Sequence, residues 1–187
     1  MNATPDDVVP KFKLTLKRAP APEQTQYIAL EKWRALFYRL GLVGEYPNEN
    51  IGYGNLSSRV HKKSFIITGS QTGHLPHLQA HHYTKVIDCD LKKGSLTAEG
   101  LIPPSPESLL HYEIYEANSA IQSVFHVHHQ KLWEMLSHEK PDLIDESKNS
   151  GISITAHPAD GIFSYATTAE EAGKNLLDLY RKLGVRQ

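Results

Sequence analysis

Between Pro104 and His129 the chain carries two signals back to back, and they restrict the fold more than any other stretch. Ser105-Pro106-Glu107 has the makings of a helix start. Serine is a good N-cap, proline suits the first helical position, and an acid in the first turn meets the positive end of the helix dipole. Leu109, Leu110 and Ile114 then supply an apolar face through about Asn118. The chain returns through residues 121–128, a run rich in Val, Ile and Phe that reads as a strand. Alternate strand residues project to opposite faces, so Phe125 and Val127 face the core while His126 and His128 share the other side. Two imidazoles side by side on a rigid strand make a two-toothed clamp for a divalent metal. For a bare H-x-H, the bland alternative is a solvated histidine-rich strand.

What surrounds this unit is an ordinary globular chain. Its 187 residues are 40% hydrophobic and 22% charged, enough apolar mass for one domain with a real core. A net charge of −1 gives no electrostatic case for nucleic acid or an anionic membrane as partner. No apolar run approaches the ~18 residues of a membrane span. The single cysteine, Cys89, forms no intrachain disulfide and suits a reducing compartment. With no signal-peptide core at the N-terminus, the expected setting is the cytoplasm.

Residues 1–22, with four prolines, read as an extended N-terminal arm rather than a core element, in which Val8, Val9, Phe12, Leu14 and Leu16 could form a short strand. Leu30, Trp33, Phe37 and Leu40 recur at helical spacing and predict a helix over 23–40, stopped by Gly41. Residues 42–52 read as a loop. Gly54 opens the next strand where backbone can approach a ligand closely, and Asn55 offers both a donor and an acceptor; a plain turn is the other reading. Residues 64–68 are a short buried strand. After it, Gly69-Ser70-Gln71-Thr72-Gly73 has the hydroxyls, glycines and backbone N–H groups that suit a phosphate or carboxylate. His74, His77, His81 and His82 follow at irregular spacing in polar surroundings and read as surface residues. Residues 84–90 form a strand that turns at Leu91–Gly94, and a short helix follows at 130–138. After a polar loop at 139–150 come strands at 151–156 and 162–165, joined by the turn His157–Gly161. Thr168 to Glu171 is a capping-box pattern opening a last helix to about Leu183. Helices and short strands intermingle throughout, which predicts an α/β or α+β class around one main sheet.

Four blocks in this order resemble the class II aldolase/adducin family. Gly54-Asn55-Leu56-Ser57-Ser58-Arg59 resembles its G-N-x-S-x-R block. Phe65 to Thr68, running on to Thr72-Gly73, resembles its I-T-P-T/S-G anion loop. Ser105-Pro106-Glu107 with His111 resembles its S-S-E-x-x-x-H helix start, and His126-Val127-His128 its H-x-H metal strand. The resemblance spans roughly residues 25–183, so 1–22 stands as an extension and 23–187 as a single domain. It implies a three-layer α/β/α fold around a mixed, mostly antiparallel sheet, usually in a fourfold homo-oligomer. It also implies a divalent metal, commonly Zn2+, held by three histidines: His126, His128 and, by the likeness of Ala156–Ile162 to the family's third-ligand turn, His157. Asn55, Thr72, Gly73 and Ser105 carry over as contacts to a substrate phosphate or carboxylate, and Glu107 as the general acid/base. A shorter connection at 139–150, where the family has a further strand and helix, is the main departure. Pro106 and Pro158 also replace the serine and glycine common there.

Three neutral imidazoles leave a fourth coordination position open, the pattern of a catalytic rather than a structural zinc. Zinc, manganese and cobalt all suit such ligands. A small hydroxy-carbonyl compound could chelate there, with the metal stabilising an enediolate while Glu107 shuttles the proton. Burial in an apolar pocket is expected to raise the Glu107 pKa toward that task; before substrate binds, Glu107 can itself occupy the open position. These readings point to a metal-dependent lyase. Epimerase and dehydratase chemistry fit the same site, and the contrasting expectation is a non-catalytic, adducin-like interaction module.

Overall fold

The structure, a computed structural model, describes residues 12–137, 147–154 and 161–184. The main sheet has eight strands in the order β1-β7-β6-β5-β4-β8-β10-β9. These are β1 (Lys13–Arg18), β4 (Asn55–His61), β5 (Ser64–Thr68), β6 (Tyr83–Asp90), β7 (Ser95–Gly100), β8 (Ser123–Val127), β9 (Gly151–Ile154) and β10 (Ile162–Ala166). Among the described residues only β1 and β7 pair in parallel; the other neighbours are antiparallel. A separate two-stranded hairpin joins β2 (Gly44–Tyr46) to β3 (Ile51–Tyr53).

Helices cover both faces. On one side α1 (Gln24–Arg39), α3 (Gln130–Ser137) and α4 (Ala169–Lys182) bury Leu30, Trp33, Phe37, Leu132, Leu176 and Tyr180 against Leu56, Ile66, Phe125, Val127 and Ile162. On the other side α2 (Ser108–Ala117) brings Tyr112, Ile114 and Tyr115 against Phe65, Ile67, Val86, Val124 and Phe163. Two apolar faces of one sheet, each sealed by helices, make the three-layer α/β/α architecture that the family resemblance implies, around a mixed and mostly antiparallel sheet.

Three local expectations change. Residues 42–52 are not an open loop: Tyr46 and Ile51 face each other across a four-residue turn, where Asn50 takes a left-handed φ of 52°. The helix after Ser105 begins later, at Ser108. Gly69 bridges Pro104 and the Ser105 N–H donates to the Thr68 carbonyl, so the chain is still tied to the end of β5 where the sequence signal begins. The strand-like part of the arm joins the main sheet: Lys13–Arg18 form β1, paired along its length with β7, with Phe12 and Leu14 packed on the second core cluster. His157 and most of the polar stretch 139–150 lie outside the described residues.

Candidate active site

Strand β8 carries His126 one residue before its end. Phe125 and Val127 point into the first core, and His126 points to the α2 side, as strand alternation requires. That side is also covered, so His126 is fully buried rather than solvated. Its ring stacks on Phe163 of the neighbouring β10, with centroids 4.3 Å apart and planes 10° from parallel. His128 lies just past the strand end, with its ring centroid 4.7 Å from that of His126.

Strand β4 supplies the next group. Asn55 sits opposite His126 in the β4–β8 ladder. Gly54 precedes it with φ of 76°, and a Cβ there would lie 2.6 Å from Val43 and 3.1 Å from the His126 carbonyl, so only glycine fits this approach. Glu107 enters at the start of α2. Its Oε2 lies 2.5 Å from His126 Nδ1 and also accepts from Asn55 Nδ2, which is itself 3.3 Å from the same imidazole nitrogen. Glu107, His126 and His128 offer ligand atoms that all lie within 4.8 Å of one another. A carboxylate and two imidazoles in a largely buried cluster are the donor set of a divalent cation, and they fit one.

Charge follows from this packing. Burial opposes the charged form of Glu107, but pairing with His126, with His128 and Asn55 adding to it, holds its carboxyl down at about 2. The expected rise toward neutrality is therefore reversed, because the pocket is not apolar where the carboxylate sits. Burial, with the neighbouring His126, pushes His128 down to about 3, so it is neutral near pH 7 and able to ligate.

The anion loop leaves β5 beside this cluster. Thr72 is buried, and its hydroxyl donates to the Gly69 carbonyl at 2.9 Å. Gln71 takes φ of 58°, and the N–H groups of Gln71, Thr72 and Gly73 donate to no acceptor among the described residues. A run of free N–H groups at a kinked backbone is a feature that can bind an anion. From α1, Tyr38 donates to the His74 carbonyl at 3.2 Å and Arg34 donates to that of Leu75, which secures the far side of the loop. Ser105 is buried against Thr68, and its hydroxyl accepts from the Glu107 N–H at 3.3 Å. The fold thus gathers Asn55, Ser105, Glu107, His126 and His128, with Thr72 and Gly73 on the adjoining loop. His74, His77 and His81 lie on the surface and His82 is half-buried, all apart from this cluster.

Two features escaped the sequence. One is a buried relay in which Ser57 Oγ lies 2.7 Å from both His111 Nδ1 and Tyr115 Oη; only the helical i to i+4 spacing of His111 and Tyr115 hinted at it. The other is a pair of tyrosines, Tyr46 and Tyr53, on the β2–β3 hairpin. Their rings pack against His128, and the Tyr46 hydroxyl lies 3.1 Å from His128 Nδ1. Aromatics flanking Pro47–Asn50 were the available hairpin signal.

Several solved structures share this fold. YgbL of Klebsiella pneumoniae, a candidate aldolase/epimerase/decarboxylase, is 17% identical with TM-score 0.61 over 90% of this chain and 94% of its own. The Escherichia coli YgbL is 17% identical with TM-score 0.59, over 85% and 87% respectively. An L-fuculose 1-phosphate aldolase is 16% identical with TM-score 0.53, over 88% and 90%. No curated protein sequence matches the chain. Residues 42–182 match the family model described as Class II Aldolase and Adducin N-terminal domain. That match runs from just after α1 to the last residue of α4 and takes in every block gathered at the site, so the chain belongs to the class II aldolase/adducin family.

Proposed function

We propose that the protein is a metal-dependent lyase that makes or breaks a C–C bond in a small, phosphorylated hydroxy-carbonyl substrate. The observation that carries this reading is the Glu107–His126–His128 cluster, with ligand atoms within 4.8 Å of one another, brought together from the start of α2 and the end of β8. His126 and His128 would hold the cation, most simply Zn2+. His157 is the third ligand in this reading. In its support, Gly161, four residues along the chain from His157, lies against the first histidine: a Cβ there would fall 2.2 Å from His126 Nε2. A cation held there would polarise substrate oxygens and stabilise the negative charge that develops when a C–C or C–H bond breaks.

The chain's own groups divide the remaining tasks. Glu107 is ionised at neutral pH and therefore enters as the base, returning the proton later. Asn55 donates to Glu107 and holds the carboxylate in place. Asn55 Oδ1 is buried without a partner among the described residues and suits a substrate hydroxyl. The Gln71–Gly73 nest, with Ser105 nearby, suits the substrate's phosphate. The working unit is a homo-oligomer, a tetramer by the family likeness, in the cytoplasm.

Elemental analysis tests the metal, and aldol cleavage assays on phosphorylated and unphosphorylated hydroxy-carbonyl compounds test the chemistry. About one metal per chain is expected in the wild type, with marked loss in His126→Ala and His157→Ala. Glu107→Gln is expected to keep the metal and lower turnover by about 10²–10⁴-fold. Wild-type protein without metal after growth in zinc-supplied medium, or full activity in Glu107→Gln, would sink the reading.

A further inference from the structure

The β2–β3 hairpin stands apart from the main sheet, yet it is seated tightly. Gly44, Gly52 and Gly73 meet backbone to backbone. A Cβ on Gly73 would lie 1.9 Å from the Gly44 carbonyl oxygen and 2.9 Å from the Gly52 Cα. On its other side, the His128 N–H donates at 2.9 Å to the carbonyl of Leu42, two residues before the hairpin. The Tyr46 and Tyr53 rings pack at 4.7 Å between centroids, and Tyr53 lies 5.7 Å from the His128 ring. One rigid piece of chain therefore touches the anion loop and the second histidine of the metal strand together.

An imidazole at a strand end can present either nitrogen by turning about its χ2, and a cation site needs one of them every time. We infer that Tyr46 is a positioning residue of this site: its hydroxyl, carried by the hairpin, engages Nδ1 of His128 and leaves Nε2 as the nitrogen presented to a cation. The phenol oxygen can accept the Nδ1–H, which is the tautomer in which Nε2 keeps its lone pair. Such outer partners of a metal-binding histidine set ring orientation and tautomer. The inference rests on the metal-site reading above and adds to it a residue from a segment outside all four recognised blocks.

The test uses Co2+ as probe, titrated into the full chain and followed by visible absorption, with Zn2+ affinity from competition against a chelator. Tyr46→Phe keeps the ring and removes only the hydroxyl, and roughly 10–100-fold weaker binding is expected. Tyr53→Phe removes a hydroxyl that donates at 3.4 Å to the Gly41 carbonyl rather than to His128, and wild-type affinity is expected. Wild-type affinity in Tyr46→Phe would overturn the assignment and leave the metal site standing. Equal weakening in both variants would overturn it too, since hairpin packing rather than the Tyr46 hydroxyl would then set the site. No Co2+ or Zn2+ binding by the wild-type chain would overturn the metal reading itself, and this inference with it.

Discussion

Single residues in this site are set by what lies across the sheet from them. His111 is the clearest case. It is fully buried, 2.7 Å from Ser57 Oγ, with its ring edge-on to Phe163. Burial and the nearby His126 push it down to about 3, from an ordinary value of 6.5. The folded chain therefore keeps His111 neutral while the unfolded chain takes up a proton below pH 6.5. Its contribution to stability is fully present above that pH and is lost as pH falls from about 6.5 toward 3, at up to about 1.4 kcal/mol per pH unit. His111→Phe removes the titration. It leaves Ser57 bonded to Tyr115 at 2.7 Å, so no hydroxyl is orphaned. Urea unfolding at pH 7, 5.5 and 4.5 should show a shallower acid loss in the variant, with His128 keeping its own share of the slope. Parallel losses in the two proteins would show that His111 titrates normally. The sequence showed the alternation that places His126 and Phe125 on opposite faces. It could not show that His126, His128 and Asn55 converge on the Glu107 carboxylate, which turned an expected rise there into a fall.

At the scale of elements, periodicity located α1 and α4 well because each needs only its own apolar stripe to be read. Their mutual packing depends on a residue with no side chain. A Cβ on Gly173 of α4 would come within 2.1 Å of the Trp33 ring on α1. Alanine at this position is worth about 0.8–1.0 kcal/mol to an isolated helix. Forcing a methyl into a filled contact costs about 1–3 kcal/mol, so packing is expected to outweigh propensity. Gly173→Ala should therefore lower the melting temperature. In a Trp33→Leu background, where the ring is gone, the same change should be neutral or stabilising; equal effects in both backgrounds would disprove the contact's role. Elements fixed by distant partners were harder to read. The hairpin at 44–53 lacks an apolar face of its own and is held by Gly73 and His128. The start of α2 is delayed by a bridge from Pro104 to Gly69. Neither tie leaves a periodic trace in the local sequence.

For the whole molecule, what matters is that the site stands on a sheet already sealed on both faces. β4, β8 and the starts of α2 and of the loop after β5 are held by the two apolar clusters and the strand ladders. The metal-free chain should thus fold and lose only a local term when chelated, unlike a small metal-nucleated domain. A cation that binds the native state alone stabilises it by about 2.7 kcal/mol when free metal is 100 times its dissociation constant. For a chain of this length that corresponds to a rise in melting temperature of about 5–10 °C. Calorimetry with Zn2+ and with chelator should show two cooperative transitions separated by this amount. His128→Ala should melt at one temperature under both conditions. Lys63→Ala, at an exposed lysine 3.8 Å from Asp88 and away from the site, should keep the full separation. If the wild type melts identically with and without Zn2+, the cluster on β8 and α2 gives the native state no preference for a cation. If the chelated protein has no cooperative transition at all, the sheet and its two cores are insufficient on their own, and the metal belongs to the fold as well as to the site.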